Sequence, residues 1–183
     1  MVIVILSVFN FLLSLLMKFL IAVCLSFISM SCLSQVDTTL PPYKRFPTLP
    51  PIQLLLSDST TKYTKENIPK KKQVLLMLFS PECSHCQHTA EEMLKYKEEL
   101  KDIHIIMATF LPLKQMNDFV ETYHLKEMEN VVVGKDIFFI IPPFYGVKSL
   151  PFLAFYDKKG DLIHGFEGSM PVGKIIDVFK NRK

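Results

Sequence analysis

Cys83 and Cys86 stand three positions apart in the run Phe79-Ser80-Pro81-Glu82-Cys83-Ser84-His85-Cys86, where an apolar stretch ends and a charged, helix-patterned one begins. A thiol in that position lies at a helix N-terminus. Unpaired backbone N–H groups and the helix dipole there favour a thiolate, the reactive form of cysteine. This context distinguishes a redox-active dithiol from a zinc knuckle. Cys83, exposed at the helix start, is the expected nucleophile. Cys86, one turn further in and more shielded, is expected to resolve a mixed disulfide by attacking Cys83, which closes a Cys83–Cys86 disulfide. Two neighbours tune the pair in opposite senses. A protonated His85 stabilises the Cys83 thiolate and makes the disulfide more oxidising, whereas the carboxylate of Glu82 repels that thiolate.

These cysteines sit in a chain of 183 residues, a one-domain length, with 49% hydrophobic content. The front end inflates that content, because Lys18 is the only charge between Met1 and Leu33. Setting Lys18 aside leaves 20 Lys and Arg against 18 Asp and Glu in the rest of the chain. That balance carries no nucleic-acid footprint, and Lys70-Lys71-Lys72 reads as a solvated turn. Residues 1–34 read as an export signal or membrane anchor. Met17-Lys18, the apolar run Phe19 to Ile28 and the small residues up to Ser34 have the layout of a secretory signal, so Met1 and Met17 are both candidate starts. Cleavage after Ser34 is the first reading, lipid attachment at Cys32 the second, and a retained membrane span the third. Cys24 and Cys32 lie in this segment, so cleavage leaves Cys83 and Cys86 as the whole cysteine complement. A structural disulfide framework would use more cysteines and larger loops.

Residues 35–51 carry five prolines without a helical or strand period, and read as an extended linker ahead of a domain at 52–183. Ile52 to Leu56 and Thr61 to Thr64 are short strand candidates around a Ser57–Thr60 turn. Gln73 to Phe79 is a continuous apolar run, the mark of a strand buried on both faces. A helix follows over Ser84 to Leu100, then a buried strand at Ile103 to Phe110 and a helix at Leu113 to His124. Val131 to Val133 is a brief strand, and Asp136 to Tyr145 holds a short helix broken by Pro142-Pro143. Phe152 to Tyr156 and Leu162 to Phe166 form a hairpin around Asp157-Lys158-Lys159-Gly160, and Val172 to Phe179 is a final helix. The order implies an α/β domain with a central mixed sheet covered by helices on both faces.

The strand-CxxC-helix unit at 73–100, the strand at 103–110, Ser149-Leu150-Pro151 before a strand, and the DKKGDLIHGFEG hairpin resemble the thioredoxin fold. The likeness covers about residues 50–181 and is closest to exported bacterial proteins of the TlpA and ResA kind and the related redoxin group. Those share an N-terminal hairpin ahead of the CxxC strand and an extra segment here at 112–145. The resemblance implies that Pro151 is a cis-proline facing the dithiol, and that the Leu150 backbone beside it binds an extended substrate segment. It implies an exported thiol–disulfide oxidoreductase of the periplasm or cell envelope, needing no cofactor. Its partners would be disulfide-containing envelope proteins and an upstream electron donor. Two residues depart from cytosolic thioredoxin: Glu82 replaces the Trp before the first cysteine, and Met77 occupies the position of a buried acid.

Two other chemistries compete. Cys83, Cys86, His85 and His88 offer ligands for Cu(I), although a helix starting at Ser84 turns His88 away from Cys83. His104, His124 and His164 are scattered and read as surface or strand residues. A thiol peroxidase of the redoxin group would use Ser80, three residues before Cys83, but also an arginine near the peroxide. Arg45 and Arg182, the arginines of the chain, stand in the linker and the tail.

Overall fold

The computed structural model describes residues 12–22 and 40–181. The chain divides into two compact units, Met1–Thr38 and Thr39–Lys183. In the first, residues 12–22 form a helix, α1. Cys24, Cys32, Ser34 and the remainder of the expected export segment lie outside the described residues, as does Arg182. Among the described residues no helix is long and apolar enough to cross a membrane.

The second unit begins with a helical turn, α2 (Pro42–Arg45), followed by β1 (Gln53–Leu55), β2 (Lys62–Thr64) and β3 (Gln73–Leu78). Helices α3 (Ser84–Lys95) and α4 (Lys97–Leu100) lead to β4 (Ile103–Thr109), α5 (Leu113–Thr122) and β5 (Val131–Asp136). The last elements are α6 (Ile141–Tyr145), β6 (Phe152–Tyr156), β7 (Leu162–Glu167) and α7 (Val172–Lys180). The strands form a seven-stranded sheet in the order β2-β1-β5-β4-β3-β6-β7. The central β5, β4 and β3 run parallel, and β1, β6 and β7 join antiparallel to their neighbours. This is the mixed α/β sheet expected.

The apolar run of β3 splits by alternation. Leu75, Met77 and Phe79 enter one core with residues of α3, α5 and α7, while Val74, Leu76 and Leu78 enter a second core on the opposite face. Successive side chains of a strand point to opposite faces, so a strand covered on both sides must be apolar throughout. Each fully buried Leu or Met contributes about 1.5–3 kcal/mol, which makes β3 a firm base for the segment that follows it. The β1–β5 seam depends on Gly134, where an added Cβ would stand 2.6 Å from Leu54 Cβ.

Four elements differ from expectation. Residues 41–50 are not a free extended linker: Leu49 and Pro50 are buried, Thr48 bridges Asp161, and Tyr43 packs 5.5 Å from Tyr145 and 6.1 Å from Phe152. Proline suits the first turn of a helix, so Pro42 starts α2 where the sequence suggested only extension. For the same reason Pro142 and Pro143 open α6 and do not break it. The helix over 84–100 is interrupted at Tyr96, whose N–H bonds the carbonyls of both Glu92 and Leu94. The strand read as Val131–Val133 runs on to Asp136, because Leu54 and Leu55 pair with its far end.

Candidate active site

Beyond β3 the chain continues to Phe79, whose N–H donates to the Ala108 carbonyl at 2.9 Å and whose ring lies 4.7 Å from Phe119. A tight turn then delivers Cys83. The Cys83 N–H donates to the Ser80 carbonyl at 3.1 Å, and the Glu82 N–H donates to Ser80 Oγ at 3.2 Å. Cys83 is the N-cap of α3, with extended backbone at φ −83° and ψ 114°. Its carbonyl accepts the Gln87 N–H at 3.0 Å, and Gln87 Nε2 returns to the Pro81 carbonyl at 2.8 Å. The turn is thus tied to the first turn of the helix on both sides.

Cys83 is half-buried and Cys86 is buried, and both are free thiols. The Cys86 side chain belongs to the apolar core with Met77, Ala90 and Met93. Burial pushes the Cys86 thiol well up, and its hydrogen bond with Cys83 adds to that shift. Met77 is fully buried, and a thioether has no proton to give or take.

The tertiary fold brings Leu150 to the dithiol. The Cys83 thiol donates to the Leu150 carbonyl oxygen at 3.6 Å, and the Leu150–Pro151 peptide bond is cis. The Pro151 carbonyl accepts the Gly168 N–H at 2.8 Å, and Glu167 Oε1 accepts the Lys148 N–H at 2.7 Å, so β7 braces this loop from behind. Among the described residues, the Leu150 N–H has no backbone acceptor.

The other residues singled out in the sequence fall at differing distances from this centre. His85 is exposed in the first turn of α3, and its carbonyl accepts the Thr89 hydroxyl at 2.8 Å. Glu82 is exposed, with Oε1 3.5 Å from Gln115 Nε2. His88 lies on the outer face of α3, 3.9 Å from Glu92, away from the sulfurs. Among the described residues, no three His, Cys, Asp or Glu side chains are grouped to hold a metal ion. Arg45 lies over the Phe46 ring at 5.6 Å. His104 is a buried strand residue whose Nε2 is 2.7 Å from the Tyr63 hydroxyl.

Sequence reasoning missed the aromatic wall beside Cys83. Cys83 opens onto a cleft of about 430 Å³ whose other walls include Leu78, Phe110, Phe139, Pro142, Val147 and Leu150. Phe139 is 53% exposed, holds φ at +52° and meets Phe110 edge-on at 5.2 Å. A bulky residue in the left-handed region costs about 1–3 kcal/mol and persists only where its surroundings impose it. The buried Asp136 imposes the far side, because its Oδ2 accepts the Ile141 N–H at 2.8 Å. The available signal was the FFII segment itself, apolar yet lacking helical or strand period.

Comparison with known proteins agrees with this geometry. A family model described as a thioredoxin-like domain matches residues 61–183, more than half of the chain. No curated protein matches in sequence. Among solved structures, a secreted Mycobacterium tuberculosis disulfide oxidoreductase homologous to E. coli DsbE superposes with a TM-score of 0.58. The match has 16% identity and covers 69% of this chain and 92% of that one. Mycobacterium tuberculosis DsbF, in mixed oxidised and reduced forms, gives 0.61 at 19% identity, covering 73% of this chain and 98% of that one. The exposed lipoprotein thioredoxin Etrx1 of Streptococcus pneumoniae gives 0.53 at 24% identity, covering 70% and 98%. At these identities the likeness is one of fold.

Proposed function

The chain belongs to the thioredoxin-like domain family, and from that premise we propose that it is an exported thiol–disulfide oxidoreductase acting on proteins of the bacterial cell envelope. The observation that carries this reading is the pairing of a half-buried Cys83 at the start of α3 with the Leu150 carbonyl, over a buried Cys86. One sulfur is accessible and stands beside a backbone edge where a partner chain can lie. The other is withheld in the core until the first has reacted.

The exchange runs in two displacements. The Cys83 thiolate attacks one sulfur of a partner disulfide, forms a Cys83–partner bond and releases the partner's other sulfur as a thiolate, which takes up a proton. Cys86 then loses its proton to water and attacks the Cys83 sulfur. The Cys83–Cys86 disulfide forms, and the second partner sulfur leaves and is protonated. The partner gains two electrons and two protons, and the dithiol loses them. The reverse sequence oxidises a partner, and the reduction potential of the pair sets the direction. Pro151 and the Leu150 backbone are the docking edge, and His85 and Glu82 the tuning residues. The hydrophobic first 34 residues, and the secreted and exposed proteins among the structural neighbours, support export, with cleavage after Ser34 or a lipid at Cys32.

Substitution of Cys86 by Ser tests the reading. The variant should accumulate partners linked through Cys83 that reductant releases. Absence of trapped species, with full insulin reduction retained by the Cys83→Ser protein, would exclude this function.

A further inference from the structure

We propose that the cleft beside Cys83 selects partner segments carrying a large apolar side chain two residues from the reacting cysteine. This rests on the reading of Cys83 as the nucleophile. A disulfide that reacts with Cys83 must bring its flanking chain over the cleft, because Cys83 is itself part of the cleft wall. The Leu150 N–H, unpaired with any backbone acceptor among the described residues, belongs to the residue whose carbonyl meets Cys83 and offers a main-chain bond that would orient the chain as an extended strand beside residues 149–150. In an extended strand, side chains alternate between faces. The reacting cysteine points at Cys83, so residues two before and two after it point the same way, while its immediate neighbours point outward.

The surface that receives those residues is mostly apolar, with Lys148 and Ser149 also in its lining. Phe110 and Phe139 meet edge-on, and Leu78, Pro142, Val147 and Leu150 supply the other apolar walls. Phe139 is held in the left-handed region and remains half exposed, as does its neighbour Phe138. The Asp136–Ile141 hydrogen bond closes the loop that carries Phe139. An unfavourable backbone conformation that keeps an aromatic ring in solvent beside a reactive sulfur fits a surface completed by its partner. Discrimination by one apolar side chain in such a pocket is about tenfold or more.

The experiment uses two disulfide-bearing peptides of identical composition. One has Phe at both positions two residues from the cysteine and Ser at the adjacent positions, and the other has these exchanged. The full reduced protein should react with the first about tenfold faster, and Phe139→Ala should bring the ratio close to one. The ratio does not depend on how much of either protein is active, so a loss of folded protein cannot imitate this result. Equal rates for the two peptides in the unaltered protein, or an unchanged ratio in Phe139→Ala, would overturn the proposal. So would a concentration-dependent dimer that Phe139→Ala abolishes, since the cleft would then belong to a second copy. Exchange with oxidised glutathione, lost in Cys83→Ser, tests the parent reading separately.

Discussion

Raising the pH should accelerate the second displacement, the attack of Cys86 on the Cys83 mixed disulfide, about tenfold for each unit. The attacking species is the thiolate, and Cys86 is fully buried among apolar side chains, with burial the largest cause raising its thiol and the Cys83 hydrogen bond the next. Once Cys83 is in a mixed disulfide it has neither proton nor charge, so its contributions vanish and burial remains. The thiolate fraction then stays small throughout the neutral range and grows in proportion to hydroxide. Between pH 6 and pH 9 the rate constant should therefore rise on the order of a thousandfold. An ordinary exposed thiol, half ionised near about 8.5, would level off inside that window. Acid-quenched single turnovers with a disulfide peptide separate the steps: the first peptide thiol marks the mixed disulfide, and the second marks its resolution. Cys86→Ser should lose the second release entirely. A plateau in the second rate below pH 9 would refute the argument that burial governs Cys86.

Two further outcomes test other parts of the structure. His85→Ala should shift the potential of the pair to more negative values and Glu82→Gln to more positive ones, each on the order of 20 mV for exposed charges. Redox titration against glutathione at mildly acidic pH would show it, and a reversed sign in either variant counts against their assigned roles. His104 is buried beside Tyr63, and burial, followed by the charge of Lys72, holds its imidazole below the ordinary value. The unfolded chain therefore binds a proton that the folded chain refuses. The resulting stability is present above about pH 6.5 and is lost as the pH falls toward the lower folded-state value, at up to about 1.4 kcal/mol per unit. Urea unfolding between pH 7 and pH 5 should show a shallower slope in His104→Gln, and parallel slopes would contradict this account.

Much of the fold was legible because its signals are short-range. The apolar run Val74 to Phe79 read as a strand covered on both sides, and the charged, helix-patterned stretch after it placed the cysteine pair at a helix start. The DKKGDLIHGFEG turn announced its hairpin through Gly160, which does adopt φ +87°. The prolines were harder to read, since the same residue type both ends extended segments and starts helices. Pro42 and Pro142 stand in the first turns of short helices that pack on each other through Tyr43 and Tyr145. His104 gave no sign that Tyr63, from a strand at the far side of the sheet, would meet it.

The amino-acid order by itself determined that Cys83 would cap a helix and that Cys86, one turn on, would face the core, because both follow from helical periodicity next to a buried strand. The tertiary structure decided what stands around them. Leu150 reaches Cys83 from 67 positions away, and Phe110 and Phe139 form a wall from separate segments. Dihedral preferences and hydrophobic period act over a few residues, whereas the meeting of these segments depends on how the β3–β4–β5 core and the β6–β7 hairpin pack. The reactive pair is therefore a local property of this chain, and the surface that chooses its partner is a property of the folded domain.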